Sequence, residues 1–289
     1  MELKCDGKFN CLISVLICFL LSVTYVGSLY IWRTAQNRDH PDVVKKRFIS
    51  VFVMFFISPI FLYIGINKSI LDQVPLNILL GLRVKGLLQG IFMPWFLTMI
   101  LFLGPLAMQT CNGYLKLYTE PMHWISSFKN LLWIRNFLVA PLSEEFTFRS
   151  CMMPLLLQCF PPMTVVFTAP LFFGTAHFHH LQERRKMGFS FKSALQISCF
   201  QFVFTTLFGA YSAFIFLRTG HFASIFVVHA FCNHMGFPNF EEVANYKGPK
   251  KVTIISLFFV GLISWCYLLF PLTEPSWYYN ESPWTATSS

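Results

Sequence analysis

Apolar residues fall into long blocks at about 9–32, 48–66, 86–107, 136–160, 163–180, 195–217, 222–237 and 252–270, separated by charged or Pro-containing connections. Strands average only about 5 to 6 residues and alternate at period 2; most of these blocks are longer and lack that alternation. Lipid offers backbone N–H and C=O groups no partner, so a spanning segment must pair them internally, as a helix or a closed barrel. About 20 apolar residues suffice for a helix to cross the hydrocarbon core, and the block lengths suit helices. The pattern predicts an all-α, polytopic membrane protein of about eight transmembrane helices, folded as a single integral membrane domain over residues 1–289. No internal repeat, low-complexity tract or soluble-domain boundary interrupts it.

Composition agrees. Hydrophobic residues make up 55% of the chain and charged residues 12%, about half the charged share of an average soluble domain. The net charge of +9 does not indicate nucleic acid, because the cations sit in short connections, where the anionic cytoplasmic face of a membrane accounts for them. The odd-numbered connections hold the larger share, among them Arg33, Lys45, Lys46, Arg47, Arg184, Arg185, Lys186, Lys250 and Lys251. The positive-inside rule therefore places those connections in the cytosol and both termini on the other side. The first apolar block exceeds a signal h-region and lacks a small-residue cleavage site, so it is expected to remain as the first span. The nine cysteines, from Cys5 to Cys266, show neither CxxC pairs nor a secreted framework and read as apolar packing residues. The stretch from Leu106 to Arg135 mixes Lys116, Glu120 and Lys129 with Tyr114, Trp124 and Trp133, which suits an interfacial loop or helix over the mouth of a site.

Three blocks carry chemistry. The fourth, NFLVAPLSEEFTFRSCMMPLLLQCF, holds Glu144, Glu145 and Arg149, and a charged residue at a bilayer centre costs about 2.5 to 3.5 kcal/mol on insertion scales. Glu145 and Arg149 stand at i, i+4 and can pair. Glu144 points about 100° away around the helix and is left for chemistry. The fifth block ends in His177, His179 and His180. His177 follows Gly174, Thr175 and Ala176, a small-residue face where another helix can approach, whereas His179 and His180 read as interfacial. The seventh block places His229 and Asn233 at i, i+4 on one helix face, with Cys232 and His234 flanking; polar groups that deep need partners or a cavity. If the fourth block enters from the cytosol near Asn136, Glu144 lies about 12 Å in, and all four residues fall in the cytosolic half of the bilayer.

Together these residues resemble the type II CAAX prenyl endopeptidases, the Ras-converting CAAX protease family within the wider group of CAAX proteases and bacteriocin-processing membrane proteins. EExxxR matches Glu144, Glu145 and Arg149; FxxxH matches Phe173 and His177; HxxxN matches His229 and Asn233. The likeness in motifs runs from about Pro141 to Gly236, within a catalytic core of about 136–237. It implies that Glu144 and His177 activate a water, that His229 and Asn233 stabilise the oxyanion, and that Glu145 and Arg149 support them. These roles agree with the residues: a carboxylate in low dielectric is a better base, and Asn and His donors suit a developing oxyanion. The implied reaction is an intramembrane endopeptidase cut that removes the last three residues of farnesylated or geranylgeranylated CAAX proteins such as small GTPases. It needs no metal or other cofactor. The implied setting is the endoplasmic reticulum membrane, with the site open to the cytosolic side, where the prenyl chain partitions into the bilayer; the closing residues TATSS form no KDEL-type ending.

Three other readings compete. Glu144, His177 and His229 form a possible three-ligand zinc set, against which no HExxH occurs in the chain. A cysteine protease would use Cys151 or Cys232, but neither has a clear basic neighbour to activate its thiol. A non-enzymatic transporter or scaffold could relay protons through the same groups, yet the inverted repeat common in transporters is not evident.

Overall fold

The computed structural model describes residues 8–32, 34, 36–282 and 284. Cys5, Arg33 and the closing TATSS lie outside the described residues. Among the described residues the chain is helical, with no strand. The apolar blocks become α1 (Lys8–Ser28), α2 (Pro41–Gly65), α3 (Leu87–Leu101), α4 (Leu103–Cys111), α5 (131–157), α6 (Pro162–Ala176), α7 (Phe191–Thr219), α8 (Phe222–Met235) and α9 (Gly248–Leu268). Short helices such as Tyr114–Tyr118, Pro121–Lys129 and His179–Lys186 fill the connections.

Among the described residues four helices are long and apolar enough to cross a membrane: Cys11–Ser28 within α1, α2, α7 and α9. The pair α3 and α4, bent by 74°, adds a fifth if it counts as one span. Pro105 explains much of that bend, since it lacks the N–H that would reach the Leu101 carbonyl, and Phe102 leaves helical dihedrals at φ −94 and ψ 20. Helix length therefore does not establish the expected count of eight. The blocks at 163–180 and 222–237 form helices of only 15 and 14 residues, too short at 1.5 Å per residue for a core about 30 Å thick. Pro161 and Pro162 start α6 late, and His177 closes it early.

The block at 136–160 becomes α5, a helix with two changes of register. Asn130 starts it by accepting the Leu132 and Trp133 N–H groups at 2.9 and 3.2 Å, as an N-cap should. π-Helical turns at Arg135–Val139 and Phe146–Cys151 then bracket the α-helical turn Ala140–Glu145. Pro141 accounts for the first: it offers no N–H to the preceding turn, and the Ala140 N–H reaches back five residues to the Arg135 carbonyl. Such π turns occur often at functional sites. Every residue from Phe146 to Leu157 is buried, which makes the second half of α5 the axis of the bundle.

Neighbouring helices are tied to that axis by polar pairs. Tyr25 Oη on α1 meets Ser143 Oγ at 2.8 Å, and Ser58 on α2 meets Thr147 at 3.2 Å. Cys18 and Cys151 lie in the core beside Leu21, Met152 and Phe173, as expected of packing cysteines. Helices α6 and α7 approach through glycine: a Cβ on Gly174 would sit 2.3 Å from Thr206 Oγ1, and one on Gly209 would sit 2.8 Å from both Pro170 Cβ and Arg149 Nη2. The small-residue face expected at Gly174 is thus the seat of α7. The 106–135 stretch holds the end of α4 and short helices beyond it, and it touches α8 through Tyr118, whose hydroxyl lies 2.9 Å from His234 Nε2.

Gly209→Val is expected to destabilise the protein by about 1 to 3 kcal/mol through overpacking. Gly27→Ala, where an added Cβ meets nothing within 4 Å, should leave the melting temperature in detergent unchanged or raise it. Equal melting temperatures for Gly209→Val and wild type would show that α7 has room to retreat.

Candidate active site

Glu145 is fully buried, and both of its oxygens are occupied. Oε1 accepts from Arg149 Nη1 at 3.2 Å and from His229 Nδ1 at 2.7 Å, while Oε2 accepts from Ser212 Oγ at 2.6 Å. The i, i+4 pair expected on α5 is present. Ser212 on α7 and His229 on α8 extend it across three helices. The Arg149 guanidinium lies 4.2 Å from the Phe173 ring centroid and 6.0 Å from that of Phe208, so cation–π contacts surround a cation that water does not reach.

One residue earlier, Glu144 faces the other way. Its carboxylate accepts no hydrogen bond from the described residues, and its Oε2 stands 3.8 Å from His229 Nε2. It lines a cavity of about 460 Å³, and the same cavity is lined by His177, His229 and Asn233. The four residues assigned to chemistry from their spacing therefore meet in one space, brought there by α5, the end of α6, and α8.

The backbone explains how His177 and Asn233 are held. Helix α6 tightens at its end, where the His177 N–H bonds the Gly174 carbonyl at 3.1 Å. That leaves the Phe173 carbonyl open, as helix ends do, and His177 Nδ1 takes it at 2.7 Å. A carbonyl only accepts, so Nδ1 carries the proton, and in the neutral ring Nε2 keeps a free lone pair. Asn136 presents a parallel case. The Ala140 N–H is spent on Arg135 and Pro141 has none to give, so Asn233 Nδ2 donates to the Asn136 carbonyl at 2.9 Å. One amide hydrogen of Asn233 is thereby structural, and the second remains.

Electrostatics follow from counting. Glu144 and Glu145 oppose one guanidinium, so a single proton on either Glu144 or His229 neutralises the group. Low dielectric favours a neutral total, and the His229 ring stands between the two carboxylates, 2.7 Å from Glu145 and 3.8 Å from Glu144.

The structure adds residues that spacing did not single out. Ser212 gave one signal, a polar residue within an apolar block. His179 and His180, expected at the interface, also line the cavity, as do Arg38, Arg47 and Arg135. Among the described residues, the group whose donor atoms come within 4.8 Å of one another, close enough to share a metal ion, is His179, His180 and Glu183. Glu183, however, already binds Arg47 at 2.8 Å and Arg38 at 3.3 Å, and two guanidinium groups oppose a third cation there. Glu144, His177 and His229 do not form such a group.

Residues 126–235 match the family model described as Type II CAAX prenyl endopeptidase Rce1-like. A human protein named CAAX prenyl protease 2 is 40% identical over 276 residues, covering 93% of this chain and 83% of the human one. Proteins of the same name from Arabidopsis thaliana and Caenorhabditis elegans are 32% and 29% identical, covering 96% and 88% of this chain and 94% and 96% of their own. No solved structure gives a significant match.

Arg149→Met alone is expected to cost about 3 to 5 kcal/mol, because the Glu145 carboxylate loses its guanidinium while buried. Glu145→Gln combined with Arg149→Met should recover part of that loss. Thermal unfolding of the single and double variants checks this, and a double variant no better than the single would argue against the pair. Proteolysis per folded molecule should fall less in Glu145→Gln than in Glu144→Gln; the opposite ranking would exchange the roles of the two glutamates.

Proposed function

The chain belongs to the type II CAAX prenyl endopeptidase family, and on that footing we propose that it removes the last three residues of farnesylated or geranylgeranylated CAAX proteins, small GTPases among them, by activating a water without a metal. The observation that carries the mechanism is the convergence of Glu144, His177, His229 and Asn233 on one cavity, where the Glu144 carboxylate accepts no hydrogen bond from the described residues and stands 3.8 Å from His229.

Glu144 accepts a proton from water, assisted by His177 Nε2, which the Phe173 hydrogen bond leaves as an acceptor. The resulting hydroxide adds to the carbonyl carbon of the prenylated Cys, and the carbonyl oxygen becomes an oxyanion. His229 donates to it from Nε2. Its Nδ1–H is already directed at Glu145, so this bond uses a second ring proton, on Nε2. Asn233 offers its second amide hydrogen. The proton held by Glu144 then passes to the departing amine as the C–N bond breaks, giving a prenyl-Cys carboxylate and a free tripeptide. Phe148, Phe173 and Phe208 line the same cavity and strengthen these interactions by limiting water.

The metal-free reading is supported by the donor set itself. Glu144, His177 and His229 do not bring one ligand atom each within 4.8 Å of the others, and a four-coordinate zinc site would need them closer. We place the protein in the endoplasmic reticulum membrane, with the cavity open to the cytosol and the bilayer delivering the prenyl chain. The cations that surround the cavity, Arg38, Arg47 and Arg135, suit a cytosolic mouth under the positive-inside rule.

The test is hydrolysis of a farnesylated CAAX peptide by purified protein in detergent, with and without strong chelation. Glu144→Ala, His177→Ala and His229→Ala should each nearly abolish turnover in protein that still folds, and chelation should change nothing. Substantial cleavage by well-folded Glu144→Ala removes Glu144 as the base, and loss of activity on chelation with recovery on added zinc supports the metal reading instead. Asn233→Ala should lower kcat by roughly 10²- to 10³-fold with little change in KM. Wild-type turnover in a destabilised Asn233→Ala protein would confine that residue to its bond with the Asn136 carbonyl.

A further inference from the structure

Three guanidinium groups stand on the wall of the cavity that holds Glu144. Arg38 lies in the connection between α1 and α2, Arg47 in the second turn of α2, and Arg135 in the first π turn of α5. Two carboxylates face them. Asp39 Oδ1 lies 3.3 Å from Arg38 Nε and 2.7 Å from Arg135 Nη1; Glu183 lies 3.3 Å from Arg38 Nη1 and 2.8 Å from Arg47 Nη2. Both acids are ionised. Burial works against ionisation of Glu183, yet hydrogen bonds from His180, Arg47 and Tyr30 hold it far below the usual carboxylate range. Burial likewise opposes ionisation of Asp39, and the bonds from Arg135 and Arg38 outweigh it. Three cations against two anions leave one positive charge in surplus. Glu144 is the one acidic side chain among the described residues on the cavity wall, and the ring of His229 stands 3.8 Å from it.

The cluster is also pre-organised and incompletely used. Arg47 and Arg135 side chains are only 15% exposed, and Arg135 Nη1 additionally donates to the Arg38 carbonyl. The Nε of Arg47 is buried with no hydrogen-bond partner, a donor left open on a group whose planar fork matches a carboxylate. An unmet buried donor costs free energy, about 1 to 3 kcal/mol, and a turn of the Arg47 side chain toward an anion in the cavity would relieve it.

We infer that Arg47, flanked by Arg38 and Arg135, receives the C-terminal α-carboxylate of the substrate, so that the enzyme measures its cut from the end of the chain. The inference rests on the endopeptidase reading above. A cut that leaves a tripeptide needs some feature of the protein to locate the chain end. An extended tripeptide spans about 10 Å, a length that one cavity can hold between a carboxylate receptor and the reacting groups. The same cations could instead meet anionic lipid headgroups. Their place on the wall shared with Glu144 and His177, with Arg47 and Arg135 each held by a carboxylate at 2.8 and 2.7 Å, favours an anion inside the cavity.

The experiment compares two farnesylated CAAX peptides of one sequence, one ending in a free carboxylate and the other in an amide, cleaved by the full chain in detergent. Wild type is expected to prefer the carboxylate by roughly 10- to 100-fold in kcat/KM, the scale of one hydrogen bond to a charged group, chiefly through KM. Arg47→Gln should shrink that preference to within about threefold. Arg135→Gln, which leaves the Arg47–Glu183 pair intact, should shrink it in part and serves if Arg47→Gln does not fold. A wild type that cuts both peptides equally overturns the inference and leaves the endopeptidase reading standing. Variants that slow both peptides by the same factor also overturn it and assign the cations to structure or to lipid. If wild type cuts neither peptide, the proposed function itself falls and this inference with it.

Discussion

The structure turns on the buried carboxylate of Glu145. An ionised carboxylate in a medium of low dielectric is tolerable only when its lone pairs are filled and its charge is opposed. Here Arg149, His229 and Ser212 do both, and two of the three come from other helices. Helices α5, α7 and α8 consequently share one position: moving any of them uncovers a charge with no water to cover it. The close approach at Gly209 belongs to the same arrangement, since a Cβ there would strike Arg149 Nη2.

That constraint also separates two adjacent, chemically identical residues. About 100° of helical rotation turns Glu144 from the bonded cluster toward the cavity, where its oxygens stay free. His229 is the link between them, anchored through Nδ1 to one glutamate and presenting Nε2 toward the other. The interaction that stabilises the bundle thereby fixes the orientation of the His229 ring, and no separate device is needed to hold it.

Defects in helical hydrogen bonding recur around the cavity, and two of them are filled by side chains that line it. The tightened end of α6 frees the Phe173 carbonyl and His177 takes it; the π turn before Pro141 frees the Asn136 carbonyl and Asn233 takes it. Irregular backbone at membrane depth is tolerated where protein or a cavity covers it. The irregularities do not weaken the site here, because they orient the groups that line it.

The alternation of apolar blocks was enough, with no coordinates, to identify an all-helical membrane protein; the motifs holding Glu144, Glu145, Arg149, His177, His229 and Asn233 pointed by resemblance to its family, and four of those residues, Glu144, His177, His229 and Asn233, meet in one cavity. This works because a charged residue inside an apolar run is costly and so points to its own purpose, and because i, i+4 spacing acts locally. The tertiary structure decided what depends on distant partners. It made two blocks into helices too short to establish eight spans by length alone, joined Ser212 to Glu145 across 67 positions, and gathered Arg38, Arg47 and Arg135 from separate connections onto one wall. Nothing local marks Ser212 as the filler of a lone pair on α5, or three scattered arginines as a cluster. Those roles arise only when helix packing brings the atoms within hydrogen-bond reach.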